Sequence, residues 1–417
     1  MKRNPFYLLR EISGVPYLLP YGNSIASHDR GVKLNETGLF LWEQLQEEHT
    51  AEELIRLCAE HYDASEEEME ELRSDLMPFL DDLVRCGALL PDGEGPFKYR
   101  ATLYKSLRIA GLTVRLEGPE AVFSKLFDPF EDPSLNAVAE AFPGTCSAQT
   151  ETSVHTPTRE DTPNQDGAPD MTVSVCAGIC PYQVPGNAIL RNSMMSVIDC
   201  DDYFEIQFHA NTQLKEVLLK KDASKAIFYY RLPYDETLTE EIFHGIREVF
   251  LYLAGLQGMV ALHSTSILYK DKAWLFSGHS GMGKSTHAHL WEESFGTPIL
   301  NGDLNLLAMQ DGKPVIHGIP WCGTSEISDT KTHPLGGITL LNRAQTNFVT
   351  ELSPDQKLLL VDQRLISHSW TPQLFDQNLK VIKKIAPEIL ICKLCCTKDP
   401  EAAVVMRNRI DTYLNKA

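Results

Sequence analysis

Residues 278–285 read Gly-His-Ser-Gly-Met-Gly-Lys-Ser, a full match to G-x₄-G-K-[ST]. The chemistry open to such a run is phosphate binding. Gly278, Gly281 and Gly283 let the backbone wrap an anion with its N–H groups turned inward. His279, Ser280 and Met282 complete the loop. Thr286 follows at the head of a helix, whose N-terminus adds positive potential. Lys284 is expected to reach the β- and γ-phosphates of a nucleotide, and the Ser285 hydroxyl to ligate Mg²⁺. Nineteen residues past Lys284, within Asn301-Gly302-Asp303, stands an acid. Asp303 there could hold Mg²⁺ or take a proton from an attacking hydroxyl.

The elements that must position these groups are legible around them. The apolar run 273–277 (AWLFS) leads into the loop, and 286–294 (THAHLWEES) leads out with helical character. The run 262–269 (LHSTSILY) joins AWLFS through only Lys270-Asp271-Lys272, which predicts a tight antiparallel pair. GTPases and motor ATPases bring their loop in from a strand buried in a parallel sheet. No N-K-x-D base-recognition motif and no Gln-bearing D-x-x-G switch is present. His263, taken alone, reads as a histidine satisfied inside a core. Trp321 reads as a packing residue. Arg343 is equally a neutraliser of transferred phosphate and a surface ion pair.

Farther out, Ile242, Phe243, Ile246, Val249, Phe250 and Leu253 follow the spacing of a helix with one buried face. Residues 101–118, 171–179 and 203–211 read as strands, so 97–235 is expected to be β-rich. Between them, 143–170 holds six Thr, four Pro and one large aliphatic residue, Val154, which predicts an exposed, disordered loop. The N-terminal stretch has its own plan. Two strand-like runs, 6–12 and 15–21, flank Ser13-Gly14, and a third, GVKLN, covers 31–35. Three helices follow. The second opens with a capping pair, Thr50 and Glu53, and the third with Ser65 and Glu68.

The chain carries 38 basic and 57 acidic residues, a net charge of −19. So acidic a chain is a poor partner for nucleic acid or anionic lipid, which need a basic footprint. Residues 1–95 hold 20 acids against 8 bases, so −12 of the total belongs to them. No run of 18 apolar residues appears, so no membrane span is expected, and no secretory signal is recognisable. A cytoplasmic protein is the expectation. Ten cysteines in 417 residues are too sparse for a disulfide scaffold. Neither Cys176/Cys180 nor Cys392/Cys395/Cys396 has a partner pair at zinc-ligand spacing.

The run L-N-E-T-G-x-F-L-W at Leu34–Trp42, the ending L-x-x-C-G-A-L-L and the order of elements resemble the PqqD-like family over about residues 4–92. That resemblance implies a recognition element for the leader of a ribosomally made precursor peptide. The peptide would add as a strand beside Val32, Lys33 and Leu34, against the third helix at Leu72 and Leu76. An edge strand offers unpaired backbone groups for this.

The remainder, about 97–415, resembles HPr kinase/phosphorylase and its bacterial relatives. The residues that carry this are L-H-S-T-S at 262–266, F-S-G-H-S-G-M-G-K-S-T-H at 276–287, N-G-D at 301–303, G-I-P-W-C-G at 318–323 and L-x-x-R-x-x-x-N ending at Asn347. The resemblance implies an ATP- and Mg²⁺-dependent serine/threonine kinase, with His263 close to the phosphates and Asp303 as one of two adjacent aspartates. Gly302 occupies the first aspartate's place, and Thr286 stands where the kinases proper carry Glu.

The expected fold class is therefore α+β and α/β. A winged-helix-like domain of three strands and three helices (1–95) precedes a β-rich portion (97–235) and a P-loop, HPr kinase-like catalytic domain (236–417). The expected function is phosphorylation of a leader-bound precursor peptide. The alternatives are a nucleotide-gated peptide-delivery protein and a kinase for an HPr-type carrier. A homo-oligomer is also open, because HPr kinases are hexamers.

Overall fold

The computed structural model describes residues 1–4, 7–20, 31–90, 97, 101–135, 168–178, 180, 186–200, 202–232 and 235–416. The first unit runs β1 (Lys2–Arg3), β2 (Tyr7–Ile12), β3 (Val15–Pro20), β4 (Val32–Lys33), α1 (Glu36–Gln44), α2 (Ala51–His61), α3 (Glu66–Arg85) and β5 (Leu89–Leu90). Strands β2, β3 and β4 form an antiparallel sheet with β4 at one edge. The three helices begin where the sequence places them. Asn35 caps α1 by accepting from Gly38 N–H at 2.7 Å. Thr50 and Glu53 cap α2 reciprocally at 3.1 and 2.9 Å, and Glu68 accepts from both Ser65 N–H and its hydroxyl.

The unit has more strands than expected. β1 and β5 add a two-stranded antiparallel ladder that ties the start of the chain to the residues after α3. Two-residue strands carry no periodicity to read, and this pair is anchored by longer-range bonds. Asn4 N–H donates to Ala88 carbonyl at 2.9 Å, and Arg3 Nε donates to Trp42 carbonyl at 2.7 Å. The apolar faces of all three helices close over Leu18, Leu34, Leu41, Trp42, Leu54 and Leu80 in one core.

The second region runs β6 (Leu103–Ile109), β7 (Leu112–Glu117), β8 (Met171–Ala177), β9 (Asn187–Arg191), β10 (Met195–Asp199), β11 (Tyr203–Phe208), β12 (Leu214–Lys220) and β13 (Lys225–Tyr230). These form one sheet in the order β6-β7-β8-β13-β12-β11-β10-β9. Only the pairings of β8 with β7 and with β13 are parallel. The expected 143–170 loop lies outside the described residues as far as 167. At its end, the Asp170 carboxylate accepts from Thr113 N–H and hydroxyl, both at 2.8 Å.

The third region runs α4 (Thr237–Leu256), β14 (Val260–Tyr269), β15 (Lys272–Ser277), α5 (Lys284–Phe295), β16 (Ile299–Asn301), β17 (Leu304–Gln310), β18 (Lys313–His317), β19 (Thr332–Arg343), β20 (Phe348–Glu351), α6 (Pro354–Asp362), α7 (Pro372–Ile385), β21 (Leu390–Cys396) and α8 (Glu401–Leu414). Strands β14 and β15 form an antiparallel pair through the Lys270-Asp271 turn. On its other side β15 lies parallel to β19, which in turn lies parallel to β21.

Side-chain alternation along β14 fixes where the helices sit. Side chains two apart share a face of a strand. Ala261 packs in the core built by α4, Ile267 packs in the core built by α5 and α8, and His263 lies on the same face between them. Helices α4 and α5 therefore cover the same face of the sheet at opposite ends of β14. Leu262, on the other face, belongs to the core built by α6 and α7. The core under α4 also takes in Phe204, Val217 and Phe228 of the preceding sheet, so hydrophobic packing is continuous across residues 235 and 236.

Candidate functional site

The loop after β15 turns into α5 through two glycines at positive φ, Gly281 (72°) and Gly283 (103°), a region that side chains with a Cβ disfavour. Met282 N–H closes the loop onto His279 carbonyl at 3.0 Å, and the first bond of the helix runs from His287 N–H to Gly283 carbonyl at 2.8 Å. Lys284 is thus the first residue of the helix, two residues ahead of the expected start. No side chain caps this end, and the N–H groups of Lys284, Ser285 and Thr286 have no intrahelical acceptor. The result is a concave backbone surface with donors and a helix dipole directed at the same place.

Asp303 reaches this place by a separate route. Buried Asn301 organises the turn after β16: its side-chain oxygen accepts from Asp303 N–H and Leu304 N–H, both at 3.0 Å. Asp303 carbonyl accepts from Ser264 N–H at 2.9 Å, which pins the turn to β14. One residue earlier on that strand, His263 Nε2 lies 3.1 Å from Asp303 Oδ1. His263 is therefore part of the polar site and not a core histidine. Its hydrogen bond, helped by the charges of His263, Lys284 and Arg247, holds the Asp303 carboxyl below its ordinary range against the effect of burial.

Three cations converge here, of which sequence spacing did not single out Arg364. Arg364, in the loop after α6, donates from Nη2 to His279 Nε2 at 2.8 Å, while its carbonyl accepts from His263 N–H at 3.1 Å. Its Nε is buried without a partner among the described residues. Burial, with some repulsion from Arg364, pushes the Lys284 ammonium below its ordinary pKa, and Asp303 opposes that shift. Arg343 is no surface ion pair: its Nη2 donates to Gly281 carbonyl at 2.5 Å and braces the loop. The site of Arg364 depends on a contact 85 residues away along the chain, so no local pattern could reveal it, whereas Arg343, nominated from the sequence, meets a loop 62 residues away.

The turn at 323–325 explains Gly302. A Cβ at position 302 would stand 1.9 Å from Ser325 Oγ and 3.0 Å from Cys322 carbonyl. A second aspartate beside Asp303 would require the turn at 323–325 to shift. Gly323 makes a similar close approach, since a Cβ there would stand 2.8 Å from Asp303 Cβ. The turn itself is fixed by Trp321, which is buried and donates from Nε1 to Phe243 carbonyl at 3.0 Å. Trp321 is a packing residue, as its sequence suggested.

The remaining residues sort more simply. His287 is buried, accepts from Trp291 Nε1 at 3.2 Å, and is pushed down to about 4 by burial. His289 is exposed beside Glu292. Cys392 and Cys395 are buried on β21, and among the described residues no group of three metal-ligating side chains occurs. For a hard divalent ion, the protein could offer Ser285 Oγ and Asp303 Oδ2, neither of which has a hydrogen-bond partner among the described residues. Two oxygen donors, completed by phosphate oxygens and water, suit the way Mg²⁺ binds beside nucleotides.

In the N-terminal unit, two expected peptide contacts are not at the surface. Leu34 and Leu76 are only 2% and 6% exposed, because both fill the core between the sheet and α3. Val32 and Leu72 are half-buried and Lys33 is exposed.

Residues 25–89 match the family described as coenzyme PQQ synthesis protein D (PqqD), inside the stretch whose motifs resemble it. Among solved structures the chain is similar to the Hpr(Ser) kinase/phosphatase from Coxiella burnetii. The identity is 11%, with 36% of this chain and 95% of that chain covered, at a TM-score of 0.21. Likeness at that score assigns no fold, so the kinase resemblance stands on its motif residues. No curated protein matches the chain.

Proposed function

We propose that this chain is a peptide kinase with its own substrate-recognition unit. The winged-helix-like, PqqD-like N-terminal unit binds the leader of a precursor peptide. The HPr kinase-like P-loop unit transfers the γ-phosphoryl group of ATP to a Ser or Thr hydroxyl of the same peptide. The observation that supports this most is the meeting of Lys284, Asp303 and His263 at the mouth of the loop, drawn from three separate elements.

The charge balance favours a polyphosphate. Lys284, Arg364 and Arg343 stand against the single carboxylate of Asp303, in a protein whose net charge is −19. Cations crowded together in a partly buried site cost energy until an anion joins them. Mg²⁺, held by Ser285 and Asp303, would supply charge neutralisation at the β- and γ-phosphates. In the transfer, the acceptor oxygen forms a bond to the γ-phosphorus as the bond to the β–γ bridging oxygen breaks. The hydroxyl proton passes to Asp303 and ADP leaves. A carboxylate with a depressed pKa is a weak base. The transition state of phosphoryl transfer is loose, however, and the hydroxyl becomes acidic only as its new bond forms. Positioning by His263 then matters more than basicity.

Tethering by the leader raises the local concentration of a weakly held acceptor, which is the advantage of joining the two units. The acidity of the first unit, −12 over residues 1–95, suits a basic leader. The test is nucleotide turnover. ADP should form when the purified chain meets Mg-ATP and the short peptide encoded beside its own reading frame. Turnover that ignores the peptide would count against the proposal. A second reading, nucleotide-gated peptide delivery without transfer, draws on Gly302, which leaves the site one carboxylate where HPr kinases have two.

A further inference from the structure

Helix α4 lies across the sheet from the phosphate loop. It covers the same face of the sheet as α5, at the other end of β14, with His263 between them. Its exposed side carries His244 and Arg247, one helical turn apart and hence neighbours. The helix is tied to the Asp303 turn through Trp321, whose indole donates to Phe243 carbonyl and whose ring packs 6.0 Å from that of Phe243. Two residues after Trp321, Gly323 lies against Asp303. His244 and Arg247, next to Phe243 on the same helix, are therefore within electrostatic reach of Asp303. Arg247 helps hold Asp303 ionised, while burial keeps the His244 imidazole below its ordinary pKa, with Asp303 among the carboxylates that oppose that shift.

Among the described residues neither side chain hydrogen-bonds to the phosphate loop or to Asp303; their direct partners are Glu248 and Glu240. The Arg247 guanidinium is oriented by Glu248, which accepts from its Nη2 at 3.0 Å and its Nε at 3.3 Å, and Glu248 lies 3.8 Å from buried His368. Nη1 is left without a partner among the described residues. An oriented arginine with a free Nη1 matches a carboxylate, and His244, whose Nε2 lies 3.8 Å from Glu240, places a ring N–H donor beside it. The setting makes this a local feature and not a basic surface. Residues 236–417 carry 17 bases and 19 acids, a net of −2.

Resting on the kinase proposal above, we infer that Arg247 and His244 form an acceptor-side subsite for a carboxylate flanking the phosphorylated hydroxyl, so that the substrate segment is an acidic peptide. The subsite discriminates among peptides and leaves the affinity for nucleotide untouched.

The experiment measures binding and so does not depend on turnover. Two short, leader-free fluorescent peptides are compared in the presence of a non-hydrolysable Mg-ATP analogue. One has Ser between two Asp residues, and the other has Asn in their places. The wild type should bind the acidic peptide about tenfold more tightly. Arg247→Gln should abolish that preference and leave the Kd for the nucleotide analogue unchanged, which also reports that the variant is folded. His244→Gln, at an exposed position, should reduce the preference in the same direction. Equal affinity of the wild type for both peptides overturns the inference. So does a preference that survives Arg247→Gln, or a loss of nucleotide affinity equal to the loss of peptide affinity. If the acidic peptide binds selectively yet never gains phosphate, the kinase proposal fails and the subsite stands.

Discussion

His263 Nε2 lies 3.1 Å from Asp303 Oδ1, joining a strand residue to a turn residue forty positions later. Oδ2 has no hydrogen-bond partner among the described residues, so one carboxylate oxygen is oriented and the other is available. A single acid can thereby be aimed at both a metal ion and an acceptor hydroxyl. Under the proposed function, that arrangement would let one carboxylate serve both tasks.

Asp303→Asn should lower kcat by about 10²–10⁴, the usual worth of a positioned proton acceptor, with peptide affinity unchanged. His263→Ala should cost less, because Asp303 remains. It should also move the acid limb of the pH–rate profile upward. The His263 hydrogen bond is the largest influence holding the Asp303 pKa down, so removing it raises the pH at which the carboxylate is lost. An acid limb at the same pH in both proteins would contradict this geometry.

Gly302→Asp, which restores the two-aspartate pattern of HPr kinases, should impair the protein and not improve it. The new Cβ would meet Ser325 Oγ at 1.9 Å, and overpacking of this kind costs about 1–3 kcal/mol. Thermal denaturation should show a lower Tm. Combining Gly302→Ala with Ser325→Gly should recover most of the loss suffered by Gly302→Ala alone. A Gly302→Asp variant that is more active and equally stable would show that the turn at 323–325 does not pack as described.

These two sites show what the sequence could and could not tell. The loop at 278–285 was legible because its glycines, lysine and helix are local to one another. The capping pairs Thr50/Glu53 and Ser65/Glu68 were legible for the same reason. Asp303 could be nominated from its place after a strand. Whether it reached the loop depended on Asn301 and Ser264, which belong to tertiary structure. The periodicity of α4 announced its buried face and was silent about what His244 and Arg247 would meet. Leu34 and Leu76 were nominated as peptide contacts from their place on the third strand and third helix, but large apolar residues are more often core, and these two are. The ladder of β1 with β5 was too short to leave any pattern.

Leader binding should appear as slowed amide exchange at 31–34, where β4 forms the open edge of its sheet. Half-buried Leu72 on α3 should contribute a side-chain pocket, and Leu72→Ala should weaken binding by about 1–2 kcal/mol. Buried Leu76 should act only through stability. Exchange slowed along α2, with 31–34 unchanged, would place the peptide elsewhere.

Glu216 gives the fold a pH dependence of its own. Burial, with a contribution from the neighbouring Glu205 carboxyl, lifts its pKa from 4.5 to about 7. A carboxyl raised in this way holds its proton more tightly in the folded state. Its cost is therefore largest above about pH 7 and is relieved as the pH falls toward the unfolded value of 4.5. Glu216→Gln should raise stability at pH 8 by on the order of 1–3 kcal/mol and change it little at pH 4.5. A gain of the same size at both pH values would show that the carboxyl ionises as it does in water.

The central claim is phosphoryl transfer to a peptide held by its leader, and intact-mass spectrometry of the precursor after incubation with Mg-ATP tests it most directly. The wild type should add one phosphate to a Ser or Thr of the full precursor and add it far more slowly to the same peptide without its leader. Lys284→Ala should add none while still binding the peptide. A precursor that binds the wild type and keeps its original mass would contradict the account, as would phosphate added equally well by Lys284→Ala.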